Sequence, residues 1–141
     1  SPETIPCDTK AAGLYMICTL SKHDAEKNGY ADSLMLDFEG YVAEATGANV
    51  FFIKDDEIHT PSPDCFLDGI TRRTVIELAK VRGLSIVERK ILPEEMGEFT
   101  ECFLTGTAVE VTPVSQIGQY DFKPGQITKD LMEDYISLVN K

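Results

Sequence analysis

One run of side chains limits what this chain can become. Val50-Phe51-Phe52-Ile53 is continuous apolar sequence, and Tyr41-Val42-Ala43 is a shorter one upstream. Both read as strands. Between them lies a glycine-containing break with a single acid, Glu44, at its edge. A carboxylate at a strand end beside a tight turn is placed to point into a cleft, although most glutamates beside turns are simply solvated. What flanks the stretch from Tyr41 to Lys54 decides between these readings.

At 141 residues the chain has the size of one domain. Hydrophobic residues make up 43% of it, enough for a core. With 13 basic against 24 acidic residues the net charge is -11, which argues against nucleic acid or an anionic membrane as partner. No basic cluster, long apolar run or signal-peptide pattern occurs, so a soluble, cytoplasmic protein is expected. The 4 cysteines, Cys7, Cys18, Cys65 and Cys102, are scattered without paired spacing. That pattern fits a reducing compartment and no structural zinc. The chain begins without Met, on Ser1-Pro2-Glu3-Thr4, and is expected to be a piece of a longer protein.

Residues 1–8 carry Pro2 and Pro6 and read as a linker; 9–141 read as the domain. A helix is expected over 9–28, with Thr9 as N-cap and Leu14, Ile17, Cys18, Ser21 and Ala25 on a buried face. Asn28-Gly29 would close it. Lys10 would then sit in the first turn of a largely buried helix, opposing its dipole. Such a local conflict marks a functional position or a lysine whose head simply reaches solvent. Ser33-Leu34-Met35-Leu36 reads as a buried strand, and Asp37 to Gly40 turns it into the Tyr41 strand as a hairpin. Ile58-His59-Thr60 is a short strand stopped by Pro61 and Pro63. His59 is expected on the surface and His23 in solvent, with no partner set for a metal.

Gly69-Ile70-Thr71-Arg72 opens a helix over 71–82 that Gly83 ends. A Gly-Thr helix start offers free N–H groups and a hydroxyl to a phosphate, or is an ordinary capped helix. Pro93 to Gly97 is a short helical turn. Glu101-Cys102-Phe103-Leu104 is a strand entering the loop Thr105-Gly106-Thr107-Ala108, and 109–117, with Pro113 inside, is an edge or kinked strand. A closing helix spans 126–139. The expected strands are 33–37, 41–44, 49–54, 57–60, 85–89, 101–105 and 109–117. Together they make an α/β fold: a curved, partly closed, mixed or antiparallel sheet surrounded by helices.

A lysine in a buried helix, an acid at a strand end, a Gly-Ile-Thr helix start and a Thr-Gly-Thr loop are the parts pyridoxal 5'-phosphate needs. Its aldehyde needs an amine, its ring nitrogen a carboxylate, and its phosphate N–H and hydroxyl donors. Composition and periodicity alone do not establish this. The motifs Lys-Ala-Ala-Gly-Leu-Tyr at 10–15, Val-Ala-Glu-Ala-Thr-Gly-Ala-Asn-Val-Phe at 42–51, Leu-Asp-Gly-Ile-Thr-Arg at 67–72 and Thr-Gly-Thr-Ala-Val-Glu-Val-Thr-Pro-Val at 105–114 are each weak alone and specific together. In order and wording they resemble the C-terminal domain of the class IV (fold type IV) pyridoxal-phosphate aminotransferases, most closely those acting on branched-chain amino acids.

The resemblance implies that Lys10 bonds the cofactor aldehyde and shuttles the substrate's α-proton. Tyr15 would stand near the phenolic oxygen and Glu44 would pair with the ring nitrogen. Leu67 would pack on the ring, and Ile70, Thr71 and Thr107 would hold the phosphate. Gly106, Thr107 and Ala108 would line the substrate carboxylate site. The family pattern has Gly-Asn-Tyr where this chain has Gly13-Leu14-Tyr15. The resemblance also implies a homodimer, amino acid and 2-oxo acid substrates, and an absent N-terminal domain, so this piece alone is expected to be inactive. D-amino acid transaminases and 4-amino-4-deoxychorismate lyases share the same cofactor parts, and a cofactor-free binding or interaction domain is the reading from another class.

Overall fold

The computed structural model describes residues 1–4 and 6–140. Ile5, inside the 1–8 linker reading, and Lys141, the end of the 9–141 domain reading, lie outside the described residues. A 3-10 turn, Ala12–Leu14, leads into helix α1 (Tyr15–Lys27). Strands β1 (Leu34–Leu36), β2 (Val42–Ala45), β3 (Asn49–Lys54) and β4 (Glu57–Pro61) follow, then helix α2 (Ile70–Val81) and strand β5 (Ile86–Arg89). A 3-10 turn, Pro93–Glu98, precedes β6 (Glu101–Gly106), β7 (Glu110–Pro113), β8 (Gln116–Ile117) and β9 (Tyr120–Asp121), and helix α3 (Gln126–Val139) closes the chain.

The apolar run becomes β3, the middle of a five-stranded sheet of order β5-β4-β3-β6-β7. Asn49 through Ile53 are all buried, because an uninterrupted apolar run needs cover on both faces. Phe51 and Ile53 face a core under α2 and α3 with Val75, Ile76, Phe103 and Leu131. Val50 and Phe52 face a second core with Val42, Ile91, Met96, Phe99 and Phe122. Phe51 lies opposite Phe103 in the ladder, and their rings stack at 4.9 Å, so the β3–β6 register is fixed by a ring pair. The sheet is antiparallel except for β4–β5. That parallel pair needs a crossover, and α2 supplies it. Two ribbons, β1–β2 and β8–β9, complete the strands. The expected α/β class, a mixed and mostly antiparallel sheet with flanking helices, holds. Among the described residues, no helix is long and apolar enough to cross a membrane.

Four local expectations need correction. The helix expected from residue 9 begins at Tyr15: Thr9 donates its hydroxyl to Pro6 O at 2.8 Å, and Ala11 keeps an extended backbone. Thr9 is therefore no N-cap, and Lys10 lies ahead of the helix and is exposed, so there is no clash with a dipole. None of α1 is buried; Met16 is 74% and Leu20 66% exposed. The strand at Ser33 to Leu36 is half-buried to exposed rather than buried, since its ribbon lies outside the main sheet. His59, expected on the surface, is buried, its ring 5.6 Å from that of Phe99 and against the Arg89 guanidinium. The 109–117 strand is two pieces. Glu110–Pro113 pairs with β6, with Val114 N still donating to Cys102 O at 2.8 Å, while Gln116–Ile117 pairs with β9, a hairpin not expected from the sequence.

Helix α3 has no cap of its own at Gly125. Glu101, at the start of β6, fills that role across the fold: its carboxylate accepts from Gly125 N at 2.8 Å and Thr128 N at 3.2 Å. A Cβ at residue 125 would lie 2.2 Å from Glu101 Oε1. Glu101→Ala is expected to cost about 1–3 kcal/mol, read as a lower urea midpoint. Gly125→Ala should destabilise the wild type more than the Glu101→Ala background. Equal costs in the two backgrounds would show that the carboxylate does not hold the helix start.

Candidate active site

The crossover places the start of α2 at the carboxyl end of β4, where sheets of this kind leave a crevice. A cavity of about 620 Å³ opens there. Lys10, Tyr15, Glu44, Leu67, Ile70, Thr71, Gly106 and Thr107 all line it, coming from four separate parts of the chain. Ala108, the remaining expected site residue, is not among its lining residues and is exposed on the turn after β6.

Glu44 is the third residue of β2, half-buried between the buried Ala43 and Ala45. Burial pushes its carboxyl up to about 7, because the cavity wall solvates the charged form poorly. The side-chain bond it accepts is a long one, from Asn49 Nδ2 at 3.4 Å. Cys18, one turn into α1, also lines the cavity. Burial and then the Glu44 carboxylate push the Cys18 thiol up, so α1 packs over the acid. Lys10 and Tyr15 stand where the chain enters that helix.

The opposite end is the start of α2. Gly69 is its N-cap, in extended backbone and with no side-chain cap bond. The first backbone bond runs from Arg73 N to Gly69 O at 3.1 Å, so the N–H groups before it have no helical acceptor. Thr71 is buried and Ile70 is 76% exposed. Arg72, buried at 1% exposure, anchors this turn: it donates to Asp68 at 2.8 Å, Glu88 at 2.6 Å and the Pro61 carbonyl at 3.1 Å. Its guanidinium thereby joins α2 to β4 and β5. On the third side, a Cβ at Gly106 would meet the Gly47 carbonyl at 3.3 Å, so the turn after β2 and the end of β6 lie close together. Thr105, buried and lining the cavity, has a hydroxyl with no hydrogen-bond partner.

Asn49, Arg72 and Thr105 lie inside the motifs at 42–51, 67–72 and 105–114, yet none of the three stands out there as a site residue. Asn49 offered one signal: it is the lone polar residue heading an apolar run. Among the described residues, no cluster of His, Cys, Asp and Glu could hold a metal ion.

The sequence profile of the family described as amino-transferase class IV matches residues 1–117. A probable branched-chain-amino-acid aminotransferase of Rickettsia felis is 42% identical, over 99% of this chain and 50% of that protein. A branched-chain aminotransferase of Thermoproteus uzoniensis, solved with norvaline, superimposes with a TM-score of 0.95 at 35% identity, over 99% of this chain and 47% of that one. One from Thermobaculum terrenum, solved in its PLP form, gives 0.94 at 38% identity, over 99% of this chain and 47% of that one. The chain thus spans about half the length of the relatives it matches. A profile match over most of the residues, carried on a backbone that follows the relatives throughout, makes this chain a member of the class IV aminotransferase family.

Proposed function

We propose that the protein carrying this chain transfers amino groups between branched-chain L-amino acids and 2-oxoglutarate, and that this chain supplies the pyridoxal 5'-phosphate half of the site. One observation carries the reading: a half-buried acid pushed up to about 7 shares a cavity with a lysine and an uncapped helix start. An acid with so little solvation is satisfied by a proton-bearing nitrogen opposite it. An uncapped helix start is satisfied by an anion. The orphaned Thr105 hydroxyl in the same wall is a further unmet polar group that an occupant would meet. The residues present therefore suit a flat ring with a nitrogen at one edge and a phosphate at the other, which is what the PLP-form relative carries.

When bound, the cofactor supplies an aldehyde carbon and an electron-accepting ring. The chain's own residues do the rest. Lys10 would hold the aldehyde end, and its amine, once displaced by the substrate's own, would carry the proton from the substrate's α-carbon across to the cofactor's former aldehyde carbon. Tyr15 donates toward the phenolic oxygen. Glu44 keeps the proton on the ring nitrogen. Leu67, in the cavity wall, would lie against the ring. The N–H groups of Ile70 and Thr71, with the hydroxyls of Thr71 and Thr107, hold the phosphate. The backbone of Gly106 and Thr107 would face the substrate carboxylate, with Ala108, next in the turn, outside the cavity lining. Cytoplasmic location and pairing with a second copy belong to the same proposal. The exposed apolar side chains of α1, Met16, Ile17 and Leu20, are a surface that suits such pairing. Sedimentation of the full protein at the mass of two chains is the expected result.

Lys10→Ala in the full protein is expected to remove the cofactor's visible absorbance and lower turnover by about 10²–10⁴-fold or more; retention of both would remove the lysine from the mechanism. The 141-residue chain alone is expected to turn over little or nothing. Lys10, Tyr15, Ile70 and Thr107 are exposed in it, and water weakens the interactions that hold and activate a cofactor.

Glu44 also leaves a signature in stability. Its pKa rises from an ordinary 4.5 to about 7 on folding. The folded state therefore binds this proton more tightly, and the contribution is fully present below 4.5 and lost as pH rises through 7. Over that window the wild type should lose up to about 3 kcal/mol relative to Glu44→Gln. Parallel stability profiles for the two proteins would mean that the acid is not desolvated.

A further inference from the structure

Asn49 is the first residue of β3, and it is 5% exposed. Its amide reaches three groups in two elements. Nδ2 donates to the Leu67 carbonyl at 2.9 Å and to Glu44 Oε2 at 3.4 Å. Oδ1 accepts from the Gly69 N–H at 3.2 Å. One side chain thus touches the acid at one end of the cavity and the N-cap of the helix at the other. The fit is close: a Cβ at residue 69 would lie 2.5 Å from Asn49 Oδ1. Only an amide serves here, because the position needs donors and an acceptor on one planar group. A carboxylate would lose the donors, and a hydroxyl would not span the distance.

We propose that Asn49 is the positioning residue that sets the spacing between the Glu44 carboxylate and the start of α2, and so matches the cavity to the length of its occupant. The inference rests on the reading that the cavity takes pyridoxal phosphate. In that reading the ring nitrogen and the phosphate lie at opposite ends of one rigid molecule. Their two protein partners belong to different segments, β2 and the 65–69 loop, which have no covalent reason to keep a fixed distance. A strand buried on both faces is the stiffest available base for a tie between them. Asn49 stands at its end.

The test begins on the chain without cofactor, by NMR. Asn49→Asp keeps the shape and the acceptor for Gly69 but replaces the donors with a carboxylate oxygen. Glu44 is then expected to titrate higher by about one pH unit or more, since a donor is lost and a like charge gained. The other titratable side chains lining the cavity, Cys7, Lys10, Tyr15, Cys18, Asp37, Cys65, Asp68 and Arg73, are unchanged by the substitution. In Asn49→Ala, which removes the acceptor as well, amide exchange at Gly69 and at Arg73, whose N–H bonds the Gly69 carbonyl, is expected to quicken by about tenfold or more, with the β3 amides unaffected. Gly69→Ala should reproduce the faster exchange in the wild type and add nothing in an Asn49→Ala background. In the full protein, Asn49→Asp should raise the dissociation constant for pyridoxal phosphate by about tenfold or more.

An unchanged Glu44 titration, with exchange either unchanged or raised evenly along the chain, overturns the proposal and leaves Asn49 a plain core polar residue. If wild-type protein fails to take up pyridoxal phosphate while the NMR signature is present, the cofactor reading falls and the tie between the two segments stands.

Discussion

The structure depends on a strand that can have no wet side. Five successive residues of β3 are buried, so β4 and β6 must satisfy its backbone and two separate cores must cover its faces. Everything functional is measured from it. Its first residue carries the amide between acid and helix. The turn before it brings Gly47 against Gly106. Its neighbour β4 runs out into the loop that starts α2. A site assembled from remote stretches needs one immovable reference, and here the most hydrophobic stretch of the chain provides it.

Around that reference the electrostatics are arranged as opposites. One wall offers a carboxyl that burial makes reluctant to ionise; the other offers the positive end of a helix with no cap. Neither is comfortable alone, and both are relieved by a single ligand of the right polarity. Arg72 keeps the second wall in place. Its guanidinium is buried among Asp68, Glu88 and a main-chain carbonyl, so the first turn of α2 cannot slide without stranding a charge. A positive side chain beside the start of a helix thus serves as framework, although on position alone it resembles an anion ligand.

The sequence was most informative where the signal was local. The expected bounds of β3, 49–54, and of α3, 126–139, coincide with the structure because an apolar run and a helical stripe each carry their own instructions. The four motifs pointed to residues that do border a common cavity, Ala108 excepted. What stayed hidden depended on partners remote in sequence. Glu101 caps a helix that begins two dozen residues later, and no local pattern announces such a bond. His59 is buried because Phe99 and Arg89 arrive from elsewhere to cover it. Thr9 looked like a helix cap, but its hydroxyl is used by a turn just upstream. Asn49 was visible within its motif, yet its reach to Leu67 and Gly69 is a property of the folded loop, not of the spelling.

Strand β6 has its two ends tied to different tasks. Glu101 secures the closing helix, while Gly106, five residues on, borders the cavity. At about 3.3 Å per residue these ends stand roughly 17 Å apart. The stretch between them is clamped on both sides by β3 and β7. Fraying of α3 would therefore die out along β6 before it reached the pocket.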